Sequence, residues 1–112
     1  MSYNFLPTPT FERQIKHLLK KYPHLVEDLD NFKEDFLKGK TRANAIPGCS
    51  GKIYKARIKS TDIAKGKRSG YRLIYYLEEN TVILLTMYVK PEKKDITAKK
   101  IGVILKEIGS KI

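Results

Sequence analysis

Cations and tyrosines, rather than carboxylates, histidines or thiols, are the side chains of this sequence that could do chemistry. Lys55, Arg57, Arg72, Tyr88 and Lys90 form the candidate set, and Lys59, Lys65, Lys67, Arg68, Lys93 and Lys94 flank it. A guanidinium can grip two oxygens of a phosphate at once, an ammonium adds a point charge, and a phenol can give or take a hydrogen bond. Such a set suits binding of a phosphodiester and stabilisation of extra charge on it. Other chemistries find little material. Lys65-Gly66-Lys67 lacks the spacing and the strand-to-helix setting of a phosphate-binding glycine loop. His17 and His24 fall in the helical half with no cysteine or carboxylate cluster near them in sequence, so both read as surface residues. Cys49 is the sole cysteine and has no neighbouring base. Asp62, Glu78, Glu79 and Glu92 form no paired set, so no metal site and no cofactor are expected.

Charge distribution supports the same emphasis. The 112 residues carry 23 Lys and Arg against 12 Asp and Glu, a formal charge of +11. With 41% hydrophobic residues the chain can form a packed interior, so this excess belongs to a folded basic domain and implies a polyanionic partner. Eleven of the basic residues but four of the acidic ones lie between 51 and 94, which puts the excess in the middle of the chain. The length fits a single domain, 1–112. The opening Met1-Ser2-Tyr3-Asn4-Phe5 lacks a basic start and a long apolar stretch, and the run Val82 to Val89 is too short to span a bilayer, so a cytoplasmic protein without a membrane partner is expected.

The elements that must position these residues follow from hydrophobic period. Thr8-Pro9-Thr10-Phe11-Glu12 has the cap, the first-position proline and the first-turn acid of a helix start, and Phe11, Ile15, Leu18, Leu19 and Tyr22 form one apolar stripe ending at Pro23. Leu25, Leu29, Phe32 and Phe36 make a second stripe that runs to Gly39. An extended piece over Tyr3 to Leu6 precedes them as an edge strand. After Ile46-Pro47-Gly48 the period becomes two. Tyr54, Ala56 and Ile58 alternate with Lys55, Arg57 and Lys59, giving one apolar face and one with cations at every position. Tyr71 to Leu77 and Thr81 to Val89 are two further strands joined at Glu79-Asn80, the latter apolar on both faces and so central. Thr97 caps a last helix with Ile101, Ile104, Leu105 and Ile108 on one side, and Ile96 and Ile101 make a hydrophobic staple. The expected fold is α+β: two N-terminal helices, an antiparallel sheet of three to four strands and a C-terminal helix, with the helices over one side of the sheet. The cationic strand face admits three readings: a solvated face, a docking surface for a nucleic-acid backbone, or a catalytic phosphate cradle. Like charges in alternation repel one another, which favours a face on which an anion sits.

The run Ile53-Tyr54-Lys55-Ala56-Arg57-Ile58, followed by Gly66-Lys67-Arg68-Ser69-Gly70-Tyr71-Arg72-Leu73-Ile74-Tyr75-Tyr76 and then Leu84-Leu85-Thr86-Met87-Tyr88-Val89-Lys90, resembles the RelE/ParE superfamily of toxin-antitoxin toxins, most closely its HigB-like RelE branch. Thr8 to Glu12, Lys20-Lys21-Tyr22-Pro23 and Asp95-Ile96-Thr97 extend the likeness over nearly the whole chain. The resemblance implies a RelE-like sandwich and a metal-independent endoribonuclease that cuts mRNA on the ribosome by attack of a 2′-hydroxyl on the adjacent phosphate. It implies a cognate antitoxin, a small DNA-binding protein, as partner. Lys55 and Arg57 match the family's basic strand positions, and Arg72 matches its arginine after glycine-tyrosine. The sequence departs from RelE near the end: Pro91 stands where a further arginine would align and Thr97 near an expected tyrosine, so either Tyr88, Lys90, Lys93 or Lys94 fills those roles or the site is weaker than in RelE. Gyrase poisoning, as in the ParE branch, and RNA binding without cleavage are the alternative functions.

Overall fold

A computed structural model describes residues 3–47, 52–63, 70–89 and 97–108. The N-terminal segment forms β1 (Asn4–Pro7), after which Thr8 turns the chain into α1 (Pro9–Leu19). The Thr8 hydroxyl accepts from the Phe11 N–H at 3.2 Å, and Pro9 at the first helical position costs nothing because its missing N–H would have had no partner there. The second helix, α2 (Leu25–Leu37), ends before Gly39, whose φ of +71° closes the helix in a conformation that side-chain-bearing residues seldom adopt. Then come β2 (Ala43–Ala45), β3 (Ile53–Ile58), β4 (Tyr71–Glu78), β5 (Thr81–Val89) and α3 (Ala98–Leu105), the last capped by the Thr97 hydroxyl, which accepts from the Lys100 N–H at 3.2 Å, and prolonged by a tight turn over Lys106–Ile108. The staple partner Ile96 lies outside the described residues.

The strands form one five-stranded sheet in the order β1-β5-β4-β3-β2. The meander β3-β4-β5 and the interior place of β5 agree with the period of the sequence, although β4 rather than β5 is the middle strand. The strand count and the purely antiparallel sheet do not: β1 runs parallel to β5, from Asn4 opposite Thr81 to Pro7 opposite Leu84, so the sheet is mixed. Ala43-Asn44-Ala45, paired antiparallel with Tyr54 to Ala56, is too short and too weakly apolar to register as a strand. β1 is the edge strand expected over Tyr3 to Leu6, new only in its direction, whereas β2 is an addition; both sit at edges, where short strands and a proline are tolerated.

The helices also divide differently. Phe11, Leu18, Leu25, Leu29 and Phe32 of α1 and α2 share a buried cluster with Ala56, Ile58, Tyr71, Leu73, Tyr75, Leu84 and Met87. Ile101 and Ile104 of α3 belong to a second cluster with Ile53, Ile74, Tyr76, Ile83, Leu85 and Tyr88. Because alternate strand residues point to opposite faces, α1 and α2 cover one side of the sheet and α3 the other. The cause lies in β4 and β5, apolar on both faces, which leave a second hydrophobic surface to cover.

One irregularity interrupts β5. Ile74 pairs with Thr86 but Tyr75 pairs with Leu84, so Leu85 is an extra residue, a β-bulge. Leu84 and Met87 therefore face the same helical pair although they are three residues apart, and Leu85 and Tyr88 both face α3.

Candidate functional site

The rungs of the sheet assemble the site. Arg57 on β3 stands opposite Arg72 on β4, and Arg72 stands opposite Tyr88 on β5, so three of the candidate residues form one row across three strands on the α3 side. Directly opposed side chains are about 5 Å apart at Cβ. Lys55 lies one rung away on the same face, opposite Ile74 and, on its other side, opposite Asn44. The alternation seen in sequence is borne out within the strand: Tyr54, Ala56 and Ile58 face the first core cluster while Lys55 and Arg57 face away, and Lys59 lies one residue past the end of β3.

These cations border a cleft of about 520 Å³ at the β3 edge, lined by Lys55, Arg57, Lys59 and Arg72 from the sheet and by Lys40 and Arg42 from the segment entering β2. Asp28, Asn31 and Asp35 of α2 form the facing wall. Pairing of β2 with β3 explains the opening. The register Ala43 to Ala56 and Asn44 to Lys55, if continued, would set Arg42 against Arg57 and Lys40 against Lys59. Like charges directly opposed destabilise a strand pair. β2 starts at Ala43, one residue after Arg42, and the cleft lies where the next rungs would have been.

Exposure separates the members of the row. Arg57 is exposed, whereas Arg72 is 6% exposed and Tyr88 4%. Arg72 is thus an interior side chain rather than a surface charge, carried on β4, an interior strand flanked by β3 and β5. Tyr88 packs its ring in the α3-side cluster and, with Lys55, Asn44, Ile46, Pro47 and Ile74, lines a second hollow of about 210 Å³. Lys55 borders both spaces. The arrangement offers a guanidinium pair to hold phosphate oxygens, with an ammonium and a phenol sharing a hollow beside it.

The floor of the loop after β3 is fastened to α2 by carboxylates. Asp28 accepts from the Thr61 N–H at 2.8 Å and from the Thr61 hydroxyl, while Asp62 accepts from the His24 N–H at 2.8 Å and lies 2.7 Å from His24 Nδ1. That hydrogen bond and the Asp62 charge hold the His24 imidazole above its ordinary 6.5, and the reciprocal bond holds Asp62 below its ordinary 3.8. The surface reading of His24 missed this partner, which lies 38 residues on in the chain. The loop it anchors leads toward Lys65, Lys67 and Arg68, which lie outside the described residues, as do Lys90, Lys93, Lys94 and Cys49.

Lys40 and Arg42 were not among the sequence candidates. The run Lys38-Gly39-Lys40-Thr41-Arg42 was a visible signal, but only the β2–β3 pairing brings it to the cleft. Among the described residues no three His, Cys, Asp or Glu side chains gather as metal ligands do, and no helix is long and apolar enough to cross a membrane. No family model matches the sequence, and no curated protein matches it. Fold and site together define a compact α+β protein with an arginine-lined cleft at the edge of a mixed sheet.

Proposed function

We propose that this chain is the toxin of a type II toxin-antitoxin pair, a cytoplasmic endoribonuclease that cleaves mRNA on the ribosome. The observation that carries the reading is the Arg57–Arg72 rung, two guanidinium side chains opposed across adjacent strands beside Lys55 and Tyr88. Two guanidinium groups side by side can grip the non-bridging oxygens of one phosphodiester, and that match supports the reading. The resemblance to RelE-type toxins supplies the reaction.

In that reaction a ribose 2′-oxygen attacks the adjacent phosphorus, the bond from phosphorus to the 5′-oxygen breaks, and the products are a 2′,3′-cyclic phosphate and a 5′-hydroxyl. Arg57 and Arg72 hold the non-bridging oxygens as negative charge grows on them. The 2′-hydroxyl proton passes to a base and the leaving 5′-oxygen takes a proton from an acid. We assign those two transfers to Lys55 and Tyr88, because they share a hollow next to the arginines, with Lys90 as a further candidate. Lys59, Lys65, Lys67, Arg68, Lys93 and Lys94 would draw in RNA and ribosome by charge. The cognate antitoxin, a small DNA-binding protein, would hold the toxin inactive by presenting an acidic or amphipathic segment to this face.

The test is expression without a partner followed by mapping of mRNA ends. Growth arrest with cuts inside coding sequence and 5′-hydroxyl ends is the expected result. Intact mRNA in arrested cells overturns it, and DNA damage with intact mRNA would assign the chain to gyrase poisoning instead.

A further inference from the structure

Tyr88 reaches the arginine row only because β5 is bulged. If the register of the outer half of the pair, Tyr75 opposite Leu84 and Glu78 opposite Thr81, ran on unbroken, Met87 would face Arg72 and Tyr88 would face Tyr71, whose side chain lies in the α1–α2 core. The extra residue, Leu85, turns the strand over, so that Tyr88 faces α3 and Met87 takes the inner place. A bulge removes backbone groups from the ladder, and they need partners elsewhere.

Helix α1 supplies them. The Gln14 side-chain oxygen, Oε1, accepts both from the Met87 N–H at 2.8 Å and from the Thr86 hydroxyl. On the other side of Leu85, the Thr8 hydroxyl lies 3.0 Å from the Leu84 carbonyl and 3.1 Å from that of Leu85, its single proton shared between them. Thr8 is fully buried and also caps α1, so its contribution to the bulge cannot be separated from helix initiation. Gln14 has no such second duty. Its acceptor bonds the two residues that immediately precede Tyr88.

We propose that Gln14 is a positioning residue, which by accepting the two hydrogen bonds of Thr86 and Met87 locks the β5 register that sets Tyr88 beside Arg72. The consequence for catalysis rests on the ribonuclease reading, whereas the register itself does not. The requirement is for an acceptor at this point and not for an amide. Gln14→Glu keeps the oxygen, and Gln14→Met keeps the length and removes it.

The experiment compares the full chain with both variants by NMR and by single-turnover cleavage on programmed ribosomes. For Gln14→Glu, the Tyr88 ring should keep its contacts to Ile101 and Ile104, the Met87 amide should stay protected from exchange, and cleavage should stay within about threefold of the parent. For Gln14→Met, Met87 protection and the Tyr88–Ile101 contact should be lost, and the cleavage rate should fall roughly a hundredfold, the effect of a reacting group displaced by an ångström, with little change in the half-saturating toxin concentration. In a Tyr88→Phe background the same Gln14→Met change should add almost nothing, because its effect runs through Tyr88. Native Tyr88 contacts and Met87 protection in Gln14→Met overturn the proposal, and so does a full additional loss in the Tyr88→Phe background. A parent protein without cleavage would remove the ribonuclease reading, and the NMR comparison would still decide the register.

Discussion

Arg57 and Arg72 share a rung but not an environment, and their removal should be felt differently. Arg57 is exposed, so Arg57→Ala removes a charge with little effect on the fold. If it holds a phosphate oxygen in the transition state, cleavage should fall by roughly 2–4 kcal/mol, the loss typical of one preorganised donor, while the melting temperature barely moves. Arg72 is 6% exposed, and its Nη1 lies 3.5 Å from the Tyr71 carbonyl oxygen. Arg72→Ala should lower the cleavage rate by a similar factor and also depress thermal stability, since it empties an interior site between two strands. Arg72→Lys should fall well short of rescue, because an ammonium cannot replace a two-oxygen grip. Single-turnover cleavage beside thermal melts checks these variants, and a parental rate in Arg57→Ala or Arg72→Ala would reassign the rung to docking.

The His24–Asp62 pair makes a separate residue-scale prediction. His24 is raised by its hydrogen bond to Asp62, so the stabilisation tied to its charge is complete below 6.5 and disappears as pH rises through its higher folded value. Asp62 is lowered by the same bond, so its contribution is complete above 3.8 and disappears as pH falls through its lower folded value. Between those limits both partners are charged and the loop at 60–63 is most firmly attached to α2. An NMR titration should place the His24 imidazole above 6.5, and Asp62→Asn should bring it back toward that value. An unchanged titration in Asp62→Asn would show that the 2.7 Å contact does not govern the imidazole.

Among the elements, the start of β4 is the least forgiving. Gly70 has a φ of +121°, and a Cβ there would lie 2.6 Å from the Ile58 carbonyl oxygen, which is backbone and has no room to give. Gly70→Ala should therefore cost several kcal/mol, strain and collision together, and displace Arg72 two residues on. Gly39 shares a positive φ, +71°, but nothing lies within 4 Å of a Cβ there, so Gly39→Ala should cost only about 1 kcal/mol. Urea melts of the two variants measure the difference, and equal losses would contradict the steric argument.

Elements whose own side chains announce their period were legible in the sequence: α1 with its Thr8-Pro9 start, α2 to Gly39, and the cationic alternation of β3. What stayed hidden depends on partners far along the chain. The direction of β1 is set by Thr81 to Leu84, and the facing of Tyr88 by a bulge whose hydrogen bonds come from α1, 73 residues before Met87. Arg72 was recognisable as a strand-borne cation, but its burial follows from having β3 on one side and β5 on the other. Lys40 and Arg42 became part of the cleft only through the pairing of a strand three residues long.

At the scale of the whole molecule, a formal charge of +11 can attract RNA diffusely or through a localised site, and salt distinguishes the two. Neutralising each phosphate of a single strand contributes about −0.7 to the slope of log K against log salt. Lys59 lies on the cleft at the β2–β3 edge, whereas Lys33 sits 5.4 Å over the Phe5 ring, by β1 at the opposite edge of the sheet. If the cleft localises the phosphates, Lys59→Ala should make the slope for binding to programmed ribosomes shallower by about 0.7, and Arg57→Ala should do the same. Lys33→Ala removes one unit of charge as they do and should leave the slope unchanged. The measurement is equilibrium binding at a series of salt concentrations, with any cleavage suppressed by a shared Tyr88→Phe background. Equal changes in slope for all three substitutions would mean that the excess charge acts as a diffuse cloud, and the Arg57–Arg72 rung would lose its claim to be the place where the backbone sits.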